Sequence, residues 1–319
     1  MRRIGPASSR WLVVGFCVGL ASLFLAPDLS TAQAVPPAAT ATLEKAREAV
    51  QKGSLGRAQG LYEKAAQQIG APSFEVEFGL SQVHLLRGDQ EKSLAAAQRA
   101  LNLALTAVHK AVSLNRIGIV RWQLAFADVG DLSHADSPGF ALRNEHLEQA
   151  EAALRKSIEV SAGQFPSPLF NLAEVFYAQG SAPEAKEWLE RYTAAAPPQG
   201  LTERVRRLEA CIDLLIGDDP SSRLFEAGQE DVTPPSRVSG SSLRYTEAAR
   251  QQRIQGLVIL QSVISQLGDV LCVRPLVGLP LGLSQVAIDA VGGWKFEPAT
   301  FEGKPVPVLY NLTVNFKLR

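Results

Sequence analysis

The sequence predicts a multidomain protein in which an all-α solenoid of helix pairs is followed by a small α+β domain. Two observations predict this order. Between residues 42 and 216, small and apolar residues recur at helical spacing, and the same spacing returns after three separate glycines. From residue 243 onward, short β-branched runs and one long alternating segment replace that spacing. The second domain is therefore expected to hold a three-stranded antiparallel sheet and two helices.

The composition fits a folded protein without a strongly charged partner. The chain has 319 residues, of which 46% are hydrophobic and 20% are charged, and this length allows two domains. Lysine plus arginine and aspartate plus glutamate both number 32, so no overall field favours nucleic acid.

The first 34 residues have the order of segments that a secretory signal peptide requires. A positive start, an apolar run over residues 11–26 and the triplet Ala32-Gln33-Ala34 predict cleavage between Ala34 and Val35 and export to the periplasm. The alternative is a retained inner-membrane anchor that leaves the chain facing the periplasm. The run falls short of the ~20 residues that span a bilayer, which favours cleavage. Residues 35–41 are expected to form a short tail.

Two cysteines remain after removal of this leader. Cys211 falls in a predicted helix, and Cys272 falls in a predicted strand of the other domain. Two cysteines provide neither a disulfide framework nor a zinc site, so each is expected to be a small buried apolar residue.

Residues 42–216 carry a repeated helical pattern. After Gly53, Gly88 and Gly180, the positions at +5, +9 and +12 lie on one helical face, and the residue at +5 is small each time. These positions are Ala58, Tyr62 and Ala65; Ser93, Ala97 and Ala100; and Ala185, Leu189 and Tyr192.

This pattern resembles the tetratricopeptide repeat, a pair of antiparallel helices with a period of ~34 residues. The best match covers residues 166–199, and Pro197 terminates its second helix. A degenerate third unit with Ala150, Leu154 and Ser157 is split by an inserted loop at residues 128–138. About four units and a capping helix at residues 202–216 are expected, with a non-repeat helical bundle as the alternative. Such a solenoid presents a groove for a peptide or protein.

Residues 217–242 are rich in Gly, Pro, Ser and Asp, which predicts a flexible linker. A short helix near Tyr245, a hairpin over residues 256–277 and a second helix around Ala287 are predicted next. In the last segment, residues 306–318, successive side chains point strictly to alternate faces. Val306, Val308, Tyr310, Leu312, Val314, Phe316 and Leu318 face one way, and the residues between them face the other, so one face is expected to be packed and one wet.

Residues 243–319 resemble the TonB C-terminal domain family. The resemblance rests on the Tyr-x-x-x-Ala motif, on the Trp-x-Phe-x-Pro motif and on the terminal alternating strand. The matching residues that we expect to determine the fold are Tyr245, Gly256, Gly268, Trp294, Phe296, Pro298 and Gly303.

The resemblance implies a protein-binding module that captures a short extended segment of an outer-membrane transporter by strand addition beside its last strand. Carried over by position, the candidate edge comprises Val306, Val308, Tyr310, Asn311, Leu312, Thr313, Val314, Asn315 and Phe316. Outer-membrane TonB-dependent transporters or other envelope proteins are the implied partners. An edge covered by a second copy in a homodimer is the alternative.

Two departures from TonB argue against direct energy transduction. TonB has an uncleaved anchor containing a functional histidine and a long proline-rich spacer, whereas residues 11–26 contain no histidine and the spacer here is short. The sequence therefore predicts a periplasmic scaffold or adaptor. A membrane-anchored energy transducer for outer-membrane receptors is the alternative if residues 11–26 are retained.

No motif for catalysis, for a cofactor or for a metal is found in the sequence. It lacks a phosphate-binding glycine loop, a metalloprotease signature, a nucleophile elbow and a paired-cysteine ligand motif. The histidines are His84, His109, His134 and His146, and no spacing among them predicts convergence. A non-enzymatic protein without cofactor, metal or nucleic acid is expected.

Overall fold

The computed structural model describes residues 35–126, 138–195, 202–217, 223–240 and 242–318. The leader up to Ala34, almost all of the inserted loop at residues 128–138, and Pro197 lie outside the described residues. Within the described residues, no helix is both long and apolar enough to cross a membrane.

Nine helices, in the described part of the chain, precede the first strand, and each packs against the next one in sequence. They are α1 (Pro37–Gln51), α2 (Leu55–Ile69), α3 (Phe74–Arg87), α4 (Gln90–Asn102), α5 (Ala107–Leu124), α6 (Pro138–Ser161), α7 (Ser167–Gln179), α8 (Ala182–Ala195) and α9 (Glu203–Ile216). Contact between successive helices is the arrangement of a solenoid, so the predicted all-α repeat array is confirmed.

The repeated small residues lie where neighbouring helices meet. Ala58, Ser93 and Ala185, which each stand five residues after a glycine, are fully buried, because a small side chain lets two helix backbones approach closely. The turns within three of the helix pairs contain Gly53, Gly88 and Gly180, whose φ angles of 71°, 79° and 87° are left-handed. Glycine adopts this conformation without the steric cost that a Cβ adds, which explains the fixed offset of the motif.

The array begins earlier than the pattern predicts. Helix α1 starts at Pro37 within the expected tail, and Ala39 in its first turn is fully buried. Proline at the first turn of a helix needs no N–H partner, so Pro37 favours this start. At the other end, α9 packs on α8, and Val205 and Leu208 are buried.

The C-terminal domain contains helices α10 (Glu247–Gln251) and α11 (Leu283–Val291). Its strands are β1 (Phe225–Glu226), β2 (Val232–Thr233), β3 (Ser236–Ser239), β4 (Gly256–Ile264), β5 (Val270–Val277), β6 (Lys295–Glu297), β7 (Ala299–Phe301), β8 (Lys304–Val306) and β9 (Val308–Phe316). Strand β4 pairs antiparallel with β5 on one side and with β9 on the other, which confirms the predicted three-stranded antiparallel sheet. Strand β1 adds a short parallel strand beside β9, so that the order is β1-β9-β4-β5.

The segment predicted as a flexible linker differs in its second half. Residues 223–240, which we call the strap, contain β1, β2 and β3, and these pair with β9, β7 and β6 respectively. Phe225 and Val232 anchor the strap in the core of the C-terminal domain, and the Phe225 ring lies 5.0 Å from that of Phe301. Two apolar side chains among many polar ones are too few to produce a periodic pattern, which is why the composition indicates a linker.

The last strand is shorter than its alternation predicts. Val306 belongs to β8, where it pairs with Ala299, and Pro307 separates it from β9. Proline has no N–H to donate to a ladder, so it ends one strand before the next begins. Within β9 the alternation is confirmed: Val308, Leu312, Val314 and Phe316 are buried.

The expectation for the cysteines is wrong in one respect. Both are buried, but Cys211 of α9 and Cys272 of β5 form a disulfide across the two domains, with 5.1 Å between their Cα atoms. They are 61 residues apart, and only the docking of β5 against α9 brings them together. The spacing of two cysteines contains no information about such a contact.

The two domains share a docking interface, formed by β5 and the residues up to Ser284 on one side and by the repeat array on the other. Val263 and Cys272 belong to the same apolar cluster as Trp188 and Ile212 of the array. At its polar margin, the Ser284 hydroxyl donates to the carbonyl of Phe126 at 3.4 Å. The C-terminal domain is thus packed against the array by both apolar and polar contacts.

Candidate protein-binding edge

Strand β9 is paired unequally on its two sides. Strand β4 pairs with it along its whole length, from Gly256 opposite Phe316 to Ile264 opposite Val308. On the other side, β1 pairs only with Val308 and Leu309. Among the described residues, no strand pairs with this side of β9 beyond Leu309.

The contacts with the strap show which backbone groups point outward. Phe225 N donates to the carbonyl of Pro307 at 3.1 Å, and Ala227 N donates to the carbonyl of Leu309 at 3.2 Å. Because backbone direction alternates along a strand, every second residue after Leu309 presents its N–H and C=O to the same side. Asn311, Thr313 and Asn315 therefore form the open edge, whereas the even-numbered residues bond to β4.

The strand at the opposite edge of the sheet, β5, contacts the repeat array. Strand β5 packs against α7 and α9 and is joined to α9 by the disulfide. An uncovered strand edge offers unpaired donors and acceptors to another chain. In the described part of this sheet, the open edge of β9 is where such pairing remains available.

The two faces beside the open edge differ in polarity. On one face, the buried Phe316 contacts the Tyr245 ring edge-on at 5.4 Å, and the half-buried Tyr310 lies 6.4 Å from Phe296. On the other face, the side chains of Asn311, Thr313 and Asn315 are exposed. An added strand would therefore meet aromatic surface with alternate side chains and polar surface with the others.

Among the predicted motif residues, Tyr245 and Phe296 contact side chains of β9, and Gly256 pairs with it. Trp294 and Phe296 are buried, and the Arg237 guanidinium of the strap lies 3.7 Å from the centroid of the Trp294 ring. A Cβ at Gly268 would lie 1.8 Å from the carbonyl oxygen of Phe296, so only glycine fits there. Three further motif residues lie in or beside the strands. Gly256 is the first residue of β4, and Pro298 separates β6 from β7. Gly303 lies in the turn that joins β7 to β8, and not in a turn that leads directly into the last strand.

The described histidines lie apart in different structural roles. His109 stacks on Phe74 with ring centroids 3.9 Å apart, His84 lies 3.8 Å from the carboxylate of Asp89, and His146 lies 3.2 Å from Arg121. Burial lowers the pKa of each of these three histidines. His134 lies outside the described residues, and in the part that the structure covers no group of three His, Cys, Asp or Glu side chains could hold a metal ion.

A cavity of about 290 Å³ lies at the margin of the docking interface, lined in part by Arg143, Glu148 and Arg274. Both guanidinium groups already donate to the carbonyl of Ala178 at 3.3 Å, in the last turn of α7. Cations are stabilised at the C-terminus of a helix, so this arrangement is accounted for by domain docking.

Comparison with known proteins identifies the domain that carries the open edge. Residues 241–318 match the family described as Gram-negative bacterial TonB protein C-terminal. The resemblance to the TonB C-terminal domain family that the sequence motifs indicate is confirmed over these residues. The strap lies just before the match, so the element that covers part of β9 falls outside the region that the family describes.

Several solved structures are similar to part of the chain, including the following two. One is a thermophilic TPR protein of Thermus thermophilus, with 17% identity, a TM-score of 0.45, and coverage of 56% of this chain and 83% of that protein. The other is pilF of Pseudomonas aeruginosa, with 16% identity, a TM-score of 0.30, and coverage of 57% and 85%. No curated protein gives a match.

Proposed function

We propose that this protein is a non-enzymatic periplasmic scaffold that binds an extended segment of another envelope protein by strand addition at the open edge of β9. The observation that supports this most strongly is the placement of Asn311, Thr313 and Asn315, whose backbone groups face outward while β4 holds the other side of the strand. Backbone hydrogen bonds would supply affinity, and the alternating faces would supply selectivity.

The strap defines the length of the bound segment. Because β1 occupies the edge up to Leu309, an added strand would pair with residues 311–315 and would extend over about five residues. An outer-membrane TonB-dependent transporter with an extended periplasmic segment is the partner class that the TonB C-terminal family suggests.

Two features support the periplasm as the compartment. The leader has the order of a signal peptide, and the buried disulfide belongs to the oxidising compartments of a bacterium rather than to its reducing cytosol. The repeat array would hold a second partner in its groove, which is the usual binding surface of a solenoid.

In-cell photo-crosslinking tests the proposal. A benzophenone amino acid replaces Thr313 in one variant and the exposed Glu302, in the turn between β7 and β8, in the control. We expect an adduct at position 313 that maps to a single extended segment of an envelope protein and is absent from the control. The same adducts at both positions, or none at position 313, would contradict strand addition.

A further inference from the structure

The docking interface combines a covalent bond with close backbone contacts. Cys272 of β5 is bonded to Cys211 of α9. Beyond β5, a Cβ at Gly278 would lie 1.4 Å from the carbonyl oxygen of Phe126, so the two backbones approach as closely as glycine allows. The C-terminal domain therefore fits the helix ends of the array along a continuous segment from β5 to α11.

The polar part of this interface places two positive charges together. Arg143 and Arg274 both donate to the carbonyl of Ala178 at 3.3 Å. Burial lowers the pKa of Arg143, and the neighbouring charge of Arg274 lowers it further. Like charges repel each other, and the carbonyls of Tyr177 and Ala178 in the last turn of α7 lie against Arg274 and stabilise the positive charge there.

We propose that oxidation of Cys211 and Cys272 is the step that holds the C-terminal domain docked on the repeat array, and that the reduced chain releases β5. In this step the two thiols lose two protons and two electrons and form one S–S bond. The electrons reduce the disulfide of a thiol oxidant through thiol–disulfide exchange. The proposal does not depend on the identity of any partner of β9.

Release would change which edge of the sheet is accessible. In the docked state β5 packs against α7 and α9, which restricts the access of another chain to this strand. In the reduced state the strand would be open, and an open strand edge is a site of unwanted pairing. The disulfide would thus confine strand addition to β9.

Hydrogen exchange of the full chain in its oxidised form and after reduction with dithiothreitol tests this. Peptide mapping without reductant should first find Cys211 linked to Cys272, and two free thiols would contradict the proposal. Reduction should then raise the exchange rate of the β5 amides that do not pair with β4 by about tenfold or more. Peptides from β4 and β9 should keep their protection and so show that the domain stays folded.

Two variants separate the covalent bond from the other contacts. Cys272→Ser should reproduce the effect of reduction without reductant, whereas oxidised Arg274→Ala should keep β5 protected. Equal exchange of β5 in the oxidised and reduced wild-type chain would overturn the proposal, because Cys211 and Cys272 are the cysteines that follow the leader. Loss of β5 protection in oxidised Arg274→Ala would overturn it as well, since the disulfide alone would then be insufficient.

Discussion

Small residues set the distance between helices in the repeat array. Gly79 in α3 faces Tyr62 in α2, and a Cβ at Gly79 would lie 2.2 Å from the Tyr62 ring. Tyr62 is itself buried, so it has little room to move. In contrast, Gly60 in the middle of α2 has no heavy atom within 4 Å of its Cβ position.

These two glycines give a matched prediction. Gly79→Ala should lower the free energy of unfolding by about 1–3 kcal/mol, because the added methyl group overlaps a buried ring. Gly60→Ala should raise it by about 0.5–1 kcal/mol, because alanine favours the helix and meets nothing. Chemical denaturation of both variants measures the difference. Equal effects of the two substitutions would contradict the close approach of α2 and α3.

For single residues, the sequence predicts burial at positions that recur in the repeat and does not predict the contacts of positions that occur once. Ala58, Ser93 and Ala185 each stand five residues after a glycine, so their burial could be predicted. Gly79 has no equivalent in the motif, because its contact depends on Tyr62 in the preceding helix. The pairing of Cys211 with Cys272 was missed for the same reason, since neither belongs to a local pattern.

At the scale of elements, β9 shows what alternation can and cannot predict. A period of two predicts which side chains are buried, but it does not tell which backbone groups face a free edge. That direction depends on the strap, which bonds to Pro307 and Leu309. Pro307 provides a partial signal in the sequence, since a proline has no N–H and can end the strand at that point.

Proline substitutions in β9 test the assignment of the edge. Thr313→Pro should leave the domain folded and abolish strand addition, because it removes an outward N–H that β4 does not use. Leu312→Pro should destabilise the domain by about 1–3 kcal/mol, because it leaves the acceptor opposite it on Leu260 unpaired. Thermal unfolding and partner capture measure the two effects, with Thr313→Val as the control that keeps the N–H. Equal destabilisation by both prolines would show that the assignment is inverted.

For the whole molecule, the disulfide should contribute substantially to stability. It restricts the unfolded chain over a separation of 61 residues, and the loop-entropy relation gives about 4 kcal/mol for a loop of this size. We expect reduction to lower the denaturant midpoint of the wild-type chain and to leave that of the Cys211→Ser/Cys272→Ser variant unchanged. An unchanged midpoint in the wild-type chain would show that the bond does not restrict the unfolded state.

The division into an all-α repeat array and an α+β domain follows from periodicity, which changes from helical spacing to alternation along the chain. The docking interface has no such signature. It depends on single contacts such as Ser284 with Phe126 and Arg274 with Ala178, which join residues far apart in the sequence. The chain order of the domains could therefore be predicted, whereas their packing could not.

The most direct test of strand addition follows the backbone amides of Asn311, Thr313 and Asn315 by residue-resolved hydrogen exchange. The probe is a synthetic peptide that copies the segment cross-linked at Thr313. We expect binding to slow hydrogen exchange at these three amides, because each would donate a hydrogen bond to the added strand or lie next to one that does. The amides of β9 that pair with β4 should stay as protected as before. Unchanged exchange at all three amides with the peptide bound would contradict strand addition at this edge.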